Sequence, residues 1–178
     1  MRSRGISNFW GAKQGLAAIE FAFIAPVLIV MFFGALEVCN ALICHEKVSD
    51  VTGSVSDLVS QDATINGQQV NDVFTAANAI MYPYPSAAAQ IIVTSIKPDP
   101  AHVGKYIVDW SVAQNTNPHA TGAPMNVPTG LITTGSSVIF SEVTYIYQPL
   151  TSELTGPITM TDSFYTHPRQ SATVVYTP

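Results

Sequence analysis

Hydrophobicity is distributed very unevenly along the chain. Residues Leu16–Leu36, LAAIEFAFIAPVLIVMFFGAL, are 21 consecutive positions with a single charge, Glu20. At 1.5 Å of rise per residue a helix of that length spans roughly 30 Å, the hydrocarbon thickness of a bilayer. Beyond it the pattern becomes one-sided. Val48, Val51, Val55, Leu58 and Val59 recur at three- and four-residue spacings with Ser, Asp and Thr between them. That spacing predicts a helix continuing to about Gln61, with one apolar face against a domain. The stripe is too short for a sustained coiled coil. A helix from Leu16 to Gln61 would be roughly 70 Å long, with Pro26 as a place to kink and Gly53 as a weak point.

Asn66-Gly67 is read as a break. Val70, Val73, Phe74, Ala77 and Ile80 then fall at helical spacing, which predicts a second, shorter helix over Gln68–Met81, stopped by Tyr82-Pro83-Tyr84-Pro85. From there the period drops towards two. Gln90–Ile96 and Lys105–Val112 are rich in β-branched and aromatic residues and are joined through His102-Val103-Gly104, as in a meander or hairpin. Residues 115–136 hold Pro118, Pro124 and Pro128 and read as a long loop or weak strands. Ser137–Tyr147 is the clearest strand: Ile139, Val143, Tyr145 and Tyr147 share one face, Glu142 and Thr144 the other. Pro149 ends it, and Ile158–Thr166 and Ala172–Tyr176 read as closing strands. The expected fold class is α+β: a long N-terminal helix, half transmembrane and half amphipathic, packed on a small antiparallel sheet of four to five strands. No internal repeat is visible.

Composition agrees with a membrane segment and an uncharged polar exterior. Charged residues are 11% and apolar residues 47%, against about 25% charged in a typical soluble domain. Ser, Thr, Asn and Gln crowd residues 49–71 and 111–137. Three of the seven basic residues, Arg2, Arg4 and Lys13, precede the apolar run, and none follows it until Lys47. The positive-inside rule then places the N-terminus in the cytoplasm and the rest outside. The remaining body, with four basic and twelve acidic residues, would be repelled by phosphate backbones, which argues against nucleic acid as a partner. A cleaved secretory signal fits less well than an anchor. The run is long for a signal core, it carries a carboxylate near its start, and Cys39-Asn40-Ala41 satisfies a small-x-small site only loosely. A lipoprotein site fits less again, because Cys39 and Cys44 follow Val38 and Ile43 rather than a small residue.

Chemistry-bearing patterns are sparse. Two cysteines cannot make a disulfide scaffold. On one helix Cys39 and Cys44 would have Cα atoms roughly 8 Å apart, beyond the ~7 Å a disulfide spans. They read as small apolar helix residues. Cys39, Cys44 and His45 diverge on a helix and lack a fourth zinc ligand, so no metal is expected. His102, His119 and His167 are scattered, and Asp50 and Asp57 lie seven apart on a solvated face. There is no phosphate-binding glycine loop, nucleophile elbow or zinc-helix motif, so no enzyme and no cofactor are expected. Of Tyr82, Tyr84, Tyr106, Trp110, Tyr145, Tyr147 and Tyr165, about half are expected to pack in the core or on a sheet face, leaving the rest to form a glycan or partner surface.

A charge inside an apolar span costs roughly 3 kcal/mol on insertion scales, so Glu20 asks for a partner unless it sits shallow enough to reach the headgroups. Its setting is Lys13-Gln14-Gly15-Leu16-Ala17-Ala18-Ile19-Glu20-Phe21-Ala22: a short basic leader, a glycine, then a hydrophobic helix with glutamate at its fifth position. The stretch Gly15–Glu37, with its alanine pair, Glu20-Phe21, Ala25-Pro26 and Phe33-Gly34…Glu37, resembles the TadE-like family of minor pilins and pseudopilins in tight-adherence (Flp-type IV) pilus systems. The likeness covers about the first 45 residues. Farther on, Tyr147-Gln148-Pro149 and Pro168-Arg169 are only loosely similar to that family.

The resemblance implies a class III leader over residues 1–15, cut by a prepilin peptidase between Gly15 and Leu16. It implies a long helix over 16–61, transmembrane over about 16–38, and a helix-plus-sheet domain over 62–178 in the periplasm or outside the cell. Glu20 and Phe21 would act in assembly. The partners it implies are the peptidase, other pilins, the assembly machinery and inner-membrane lipid, in a role in assembly, adhesion or biofilm formation. The alternative is an uncleaved, membrane-tethered periplasmic binding module.

Overall fold

A computed structural model describes residues 13–133, 135–150 and 156–178. Residues 1–12 of the expected leader lie outside the described residues. The first helix, α1, runs Lys13–Ser60, close to the span expected from the sequence, and is continuous through Pro26 and Gly53. Contacts divide the chain into two compact units after Asn40.

In the first unit α1 turns large apolar side chains outward on every side. Ile19, Phe23, Val27, Val30, Phe33 and Val38 are all exposed. Among the described residues this is the one helix long and apolar enough to cross a membrane, and its most apolar window has nothing buried. A helix apolar all round matches a lipid surrounding.

The second unit holds the rest of α1, the strand β1 (Thr64–Asn66), the helix α2 (Gly67–Met81) and six further strands. These are β2 (Ala89–Pro98), β3 (Tyr106–Gln114), β4 (Pro124–Met125), β5 (Val138–Tyr147), β6 (Ile158–Thr166) and β7 (Val175–Thr177). Five of them form one antiparallel sheet in the order β4-β3-β2-β5-β6. The expected long helix and small antiparallel sheet are both present. Ala89 pairs with Tyr145 and Ile96 with Val138, so β2 and β5 form its centre.

The valine stripe of α1 makes the core, as its period predicts. Val48, Val51, Val55 and Val59 are fully buried with Ile91, Val93, Ile139 and Val143 from the sheet and Phe74, Ala77 and Met81 from α2. Burying each such side chain stabilises the fold by roughly 1.5–3 kcal/mol. Leu58 departs from the expected stripe and is exposed. Its place is taken by Thr52, Ser56 and Ser60, which are small enough to let helix and sheet approach and are fully buried. Two of these satisfy their hydroxyls on the helix itself: Thr52 donates to the Val48 carbonyl at 2.7 Å and Ser60 to that of Asp57 at 2.8 Å. Ser141 of β5 donates to the Thr52 carbonyl at 2.7 Å and pins the helix to the sheet centre.

Two expectations need correction. Asn66-Gly67 does not simply break the chain; it starts α2. The Asn66 side chain accepts from the Gln69 backbone N–H, and the Gln69 side chain accepts from that of Asn66, both at 2.9 Å, a reciprocal cap. The final strand, expected over Ala172–Tyr176, does not close the antiparallel sheet. It is β7, and it pairs in parallel with β1, Ile65 opposite Tyr176. The turn after β6 carries the chain past the end of α1, where Arg169 N–H donates to the Ser60 carbonyl. Trp110 of β3 then fixes the tail by donating to the Val174 carbonyl at 2.7 Å. A three-residue strand such as β1 is too short to show a period.

The described residues of 115–136 contribute only the short edge strand β4. Their apolar positions cover the far face of the sheet. Ile132 packs with Ile96, Val138 and Phe140, and Tyr165 stacks on Phe140 at 4.4 Å between ring centroids.

Candidate functional site

The residues singled out near the N-terminus lie on the opening turns of α1. Gly15 and Leu16 fall inside the helix, two and three residues from its first position. A glycine early in a helix weakens it by roughly 0.5–1 kcal/mol relative to alanine, so the peptide after Gly15 sits where the helix is easiest to open. Leu16 and Glu20 are four residues apart and therefore share a face, while Phe21 turns to the next; all three are exposed. Six residues on, Pro26 has no N–H for the Ala22 carbonyl to accept.

The same helix carries both cysteines. Cys39 is exposed and Cys44 is fully buried. The helix is unbroken between them. Cys44 lies in the core with Tyr145 and Tyr147, and Tyr84 packs edge-on against both rings, at centroid distances of 6.3 and 6.1 Å. Burial pushes the Cys44 thiol up to about 11. Burial, and then the neighbouring Cys44, also raise the Tyr145 phenol. Of the aromatic residues proposed as a surface, Tyr145, Tyr147 and Trp110 are core residues, while Tyr82 is exposed. Among the described residues no three His, Cys, Asp or Glu side chains converge as metal ligands.

The structure brings together two polar groups that the sequence left scattered. On the outer face of the sheet His119 Nε2 meets Glu142 at 2.6 Å, and the His119 backbone N–H donates to Ser111. At the β2–β3 turn the Asp99 carboxylate accepts from the Ala101 backbone N–H and faces His102 Nδ1, each at 2.8 Å. The Ala101 N–H, and next to it His102, hold the Asp99 carboxyl below the usual carboxylate range. That turn, with Lys105, Tyr106, Ile107, Gly122 and Pro124, lines a depression of about 440 Å³. The partner of His119 is 23 positions away in sequence, and only the pairing of β5 with its neighbours determines it. The Asp99–His102 spacing is local, three residues within one turn, yet it was not singled out in the sequence.

Residues 15–53 match the family model described as TadE-like protein. That is the family the sequence resembles, and the match begins at Gly15 and runs into the valine stripe. No curated protein and no solved structure matches the chain.

Proposed function

We propose that this chain is a minor pilin or pseudopilin of a tight-adherence type IV pilus. It is inserted as a precursor, clipped by a prepilin peptidase after Gly15 and carried into, or used to prime, a filament. The observation that carries the reading is the family match over residues 15–53, which spans the apolar helix and the Gly15…Glu20 spacing. The exposed apolar girdle of α1 supports it, since such a surface needs lipid or other helices around it. The chain works as a structural component rather than as a catalyst.

Cleavage removes Arg2, Arg4 and Lys13 and takes the net charge from −5 to −8 before the new α-amine is counted. That amine, on Leu16, is ordinarily cationic at neutral pH. Glu20 lies one turn deeper. Two opposite charges in an apolar medium are each costly alone and tolerable as a pair. In resembling pilins the pair forms between the glutamate of one subunit and the amine of its neighbour, which sets axial register. The same role is proposed for Glu20.

The test is mass spectrometry of the protein from native membranes. A mature chain beginning at Leu16 is expected, and Gly15→Val is expected to leave the precursor. Glu20→Gln keeps the shape without the charge; it should be inserted and cleaved normally yet recovered poorly in filaments. A mature chain beginning between residues 30 and 50 would identify an ordinary secretory signal. Persistence of the uncleaved wild-type chain would identify a membrane-tethered module.

A further inference from the structure

We infer that the two ends of the sheet domain are complementary to each other, so that the β2–β3 turn of one copy of this chain docks on the Glu46–Asp50 face of α1 in the next copy. This deepens the filament reading and rests on it.

The ends are defined by the packing. Cys44 shares the core with Tyr145, and the Thr52 carbonyl accepts from Ser141, so α1 runs antiparallel to β5. β2 also runs antiparallel to β5, with Ala89 opposite Tyr145. Glu46 therefore lies at the end where β2 begins, and the β2–β3 turn at the end where it stops. At about 3.3 Å per strand residue the two are roughly 25 Å apart, too far to pair within one chain.

At the far end the turn presents an exposed imidazole and an exposed lysine. The Asp99 carboxylate is folded inward, its side chain only 16% exposed, while the His102 side chain is 72% exposed and meets Asp99 through Nδ1. Lys105 is exposed. The other cations of the domain are committed: Lys97 to Asp109 at 2.5 Å, Arg169 to Asp57, and Lys47 to the Ile80 carbonyl at 2.8 Å. Lys105 is thus the one lysine or arginine of the domain with no side-chain partner among the described residues. Tyr106 and Pro124 give the depression beside it an apolar wall.

At the near end Glu46 and Asp50 are four residues apart on one exposed face of α1. Neither is in an ion pair among the described residues. The nearest cation along the helix, Lys47, is turned away to Ile80, and the neighbouring imidazole is that of exposed His45.

Opposite ends of one domain that fit each other make a head-to-tail contact, which repeats as an open chain rather than closing into a dimer. Exposed ion pairs are individually weak, so this contact selects partner and alignment, and cohesion comes from elsewhere.

The experiment is a charge swap in the full-length chain, read as the amount of protein in the sheared-filament fraction. Lys105→Glu is expected to lower it about fivefold, the effect of one exposed pair turned into a repulsion. Glu46→Lys with Asp50→Lys is expected to do the same, and all three together should recover to within about twofold of wild type. Cleavage after Gly15 and the melting temperature serve as folding controls and should not change. Wild-type recovery of Lys105→Glu, or no rescue in the triple variant, overturns the inference while leaving the filament reading intact. Absence of the wild-type chain from filaments overturns the filament reading itself.

Discussion

The two halves of α1 are one helix by hydrogen bonding and two by surroundings. In the first half Phe23, Val30 and Phe33 are exposed along with every large apolar neighbour. In the second, valines and small hydroxyl residues are buried on one face and Glu46 and Asp50 lie on the other. Apolar content does not distinguish a lipid-facing residue from a core residue; periodicity does. A helix in lipid gains nothing by gathering its apolar residues on one side, because every side meets hydrocarbon. A helix on a sheet must gather them, because its other side meets water.

The sharpest way to break the comparison is to place the same charge in each half. Val55→Asp puts a carboxylate at a fully buried position within the hydrophobic core. It is expected to destabilise the domain by at least about 3 kcal/mol and leave it unfolded or aggregated. Val30→Asp is expected to hinder insertion by roughly 3 kcal/mol, yet the inserted fraction should show the wild-type domain melting temperature. Thermal unfolding of the purified full chain reads both. A Val30→Asp chain with a clearly lowered melting temperature would mean that the first half also supports the domain.

Trp110→Phe is expected to cost about 1–3 kcal/mol, since it orphans the buried Val174 carbonyl that Nε1 serves at 2.7 Å. It also removes part of the ring packed on Tyr176 at 5.6 Å. Amide exchange in the β1–β7 pair should rise more than in β2 and β5. Uniform acceleration through the whole domain would show that the tail is not tied down separately.

That tail marks where the sequence stopped being legible. The long helix, α2 and the strands of the main sheet were readable because each is long enough to display its period. The Ile139–Tyr147 alternation survives in the burial of β5 except at Phe140, which the Ile132 cluster buries on the other face. The parallel pairing of Thr64–Asn66 with Val175–Thr177 was not readable, because it joins two three-residue segments over a hundred positions apart and depends on Trp110 reaching Val174. Thr52, Ser56 and Ser60 were read as the polar side of the helix, yet they are buried: their size suits a close contact, and the hydroxyls of Thr52 and Ser60 are satisfied on the helix itself. The processing and assembly residues Gly15, Leu16, Glu20 and Phe21 were visible as a motif, because they act by linear spacing. The β2–β3 turn and the His119–Glu142 contact were not recognised as sites. Their meaning comes from what else the fold leaves unpaired.

Each half also carries a glycine with open space, which allows a gentler comparison. A Cβ added at Gly34 or at Gly53 would meet nothing within 4 Å. Gly53→Ala is therefore expected to stabilise the domain by about 0.5–1 kcal/mol, through helix propensity alone. Gly34→Ala should leave domain melting unchanged. A loss of stability in Gly53→Ala would mean that something other than this chain approaches the helix at that point.

The finest comparison is between the two thiols, where no change in stability is involved. Cys39 is exposed, and Cys44 is fully buried with its thiol raised to about 11. A raised value means the neutral thiol persists throughout the range in which maleimides are used, and the thiolate that reacts is scarce. Burial adds a second barrier, because reagent reaches Cys44 only when the domain opens. At pH 8 the native full chain in detergent should take up one label, at Cys39. Cys44 should react at least about a hundredfold more slowly until denaturant is added. The two should not bond to each other, since five residues on an unbroken helix separate their Cα atoms by roughly 8 Å. A non-reducing digest that found Cys39 linked to Cys44, or equal labelling of both in the native chain, would mean that α1 is broken between its two halves.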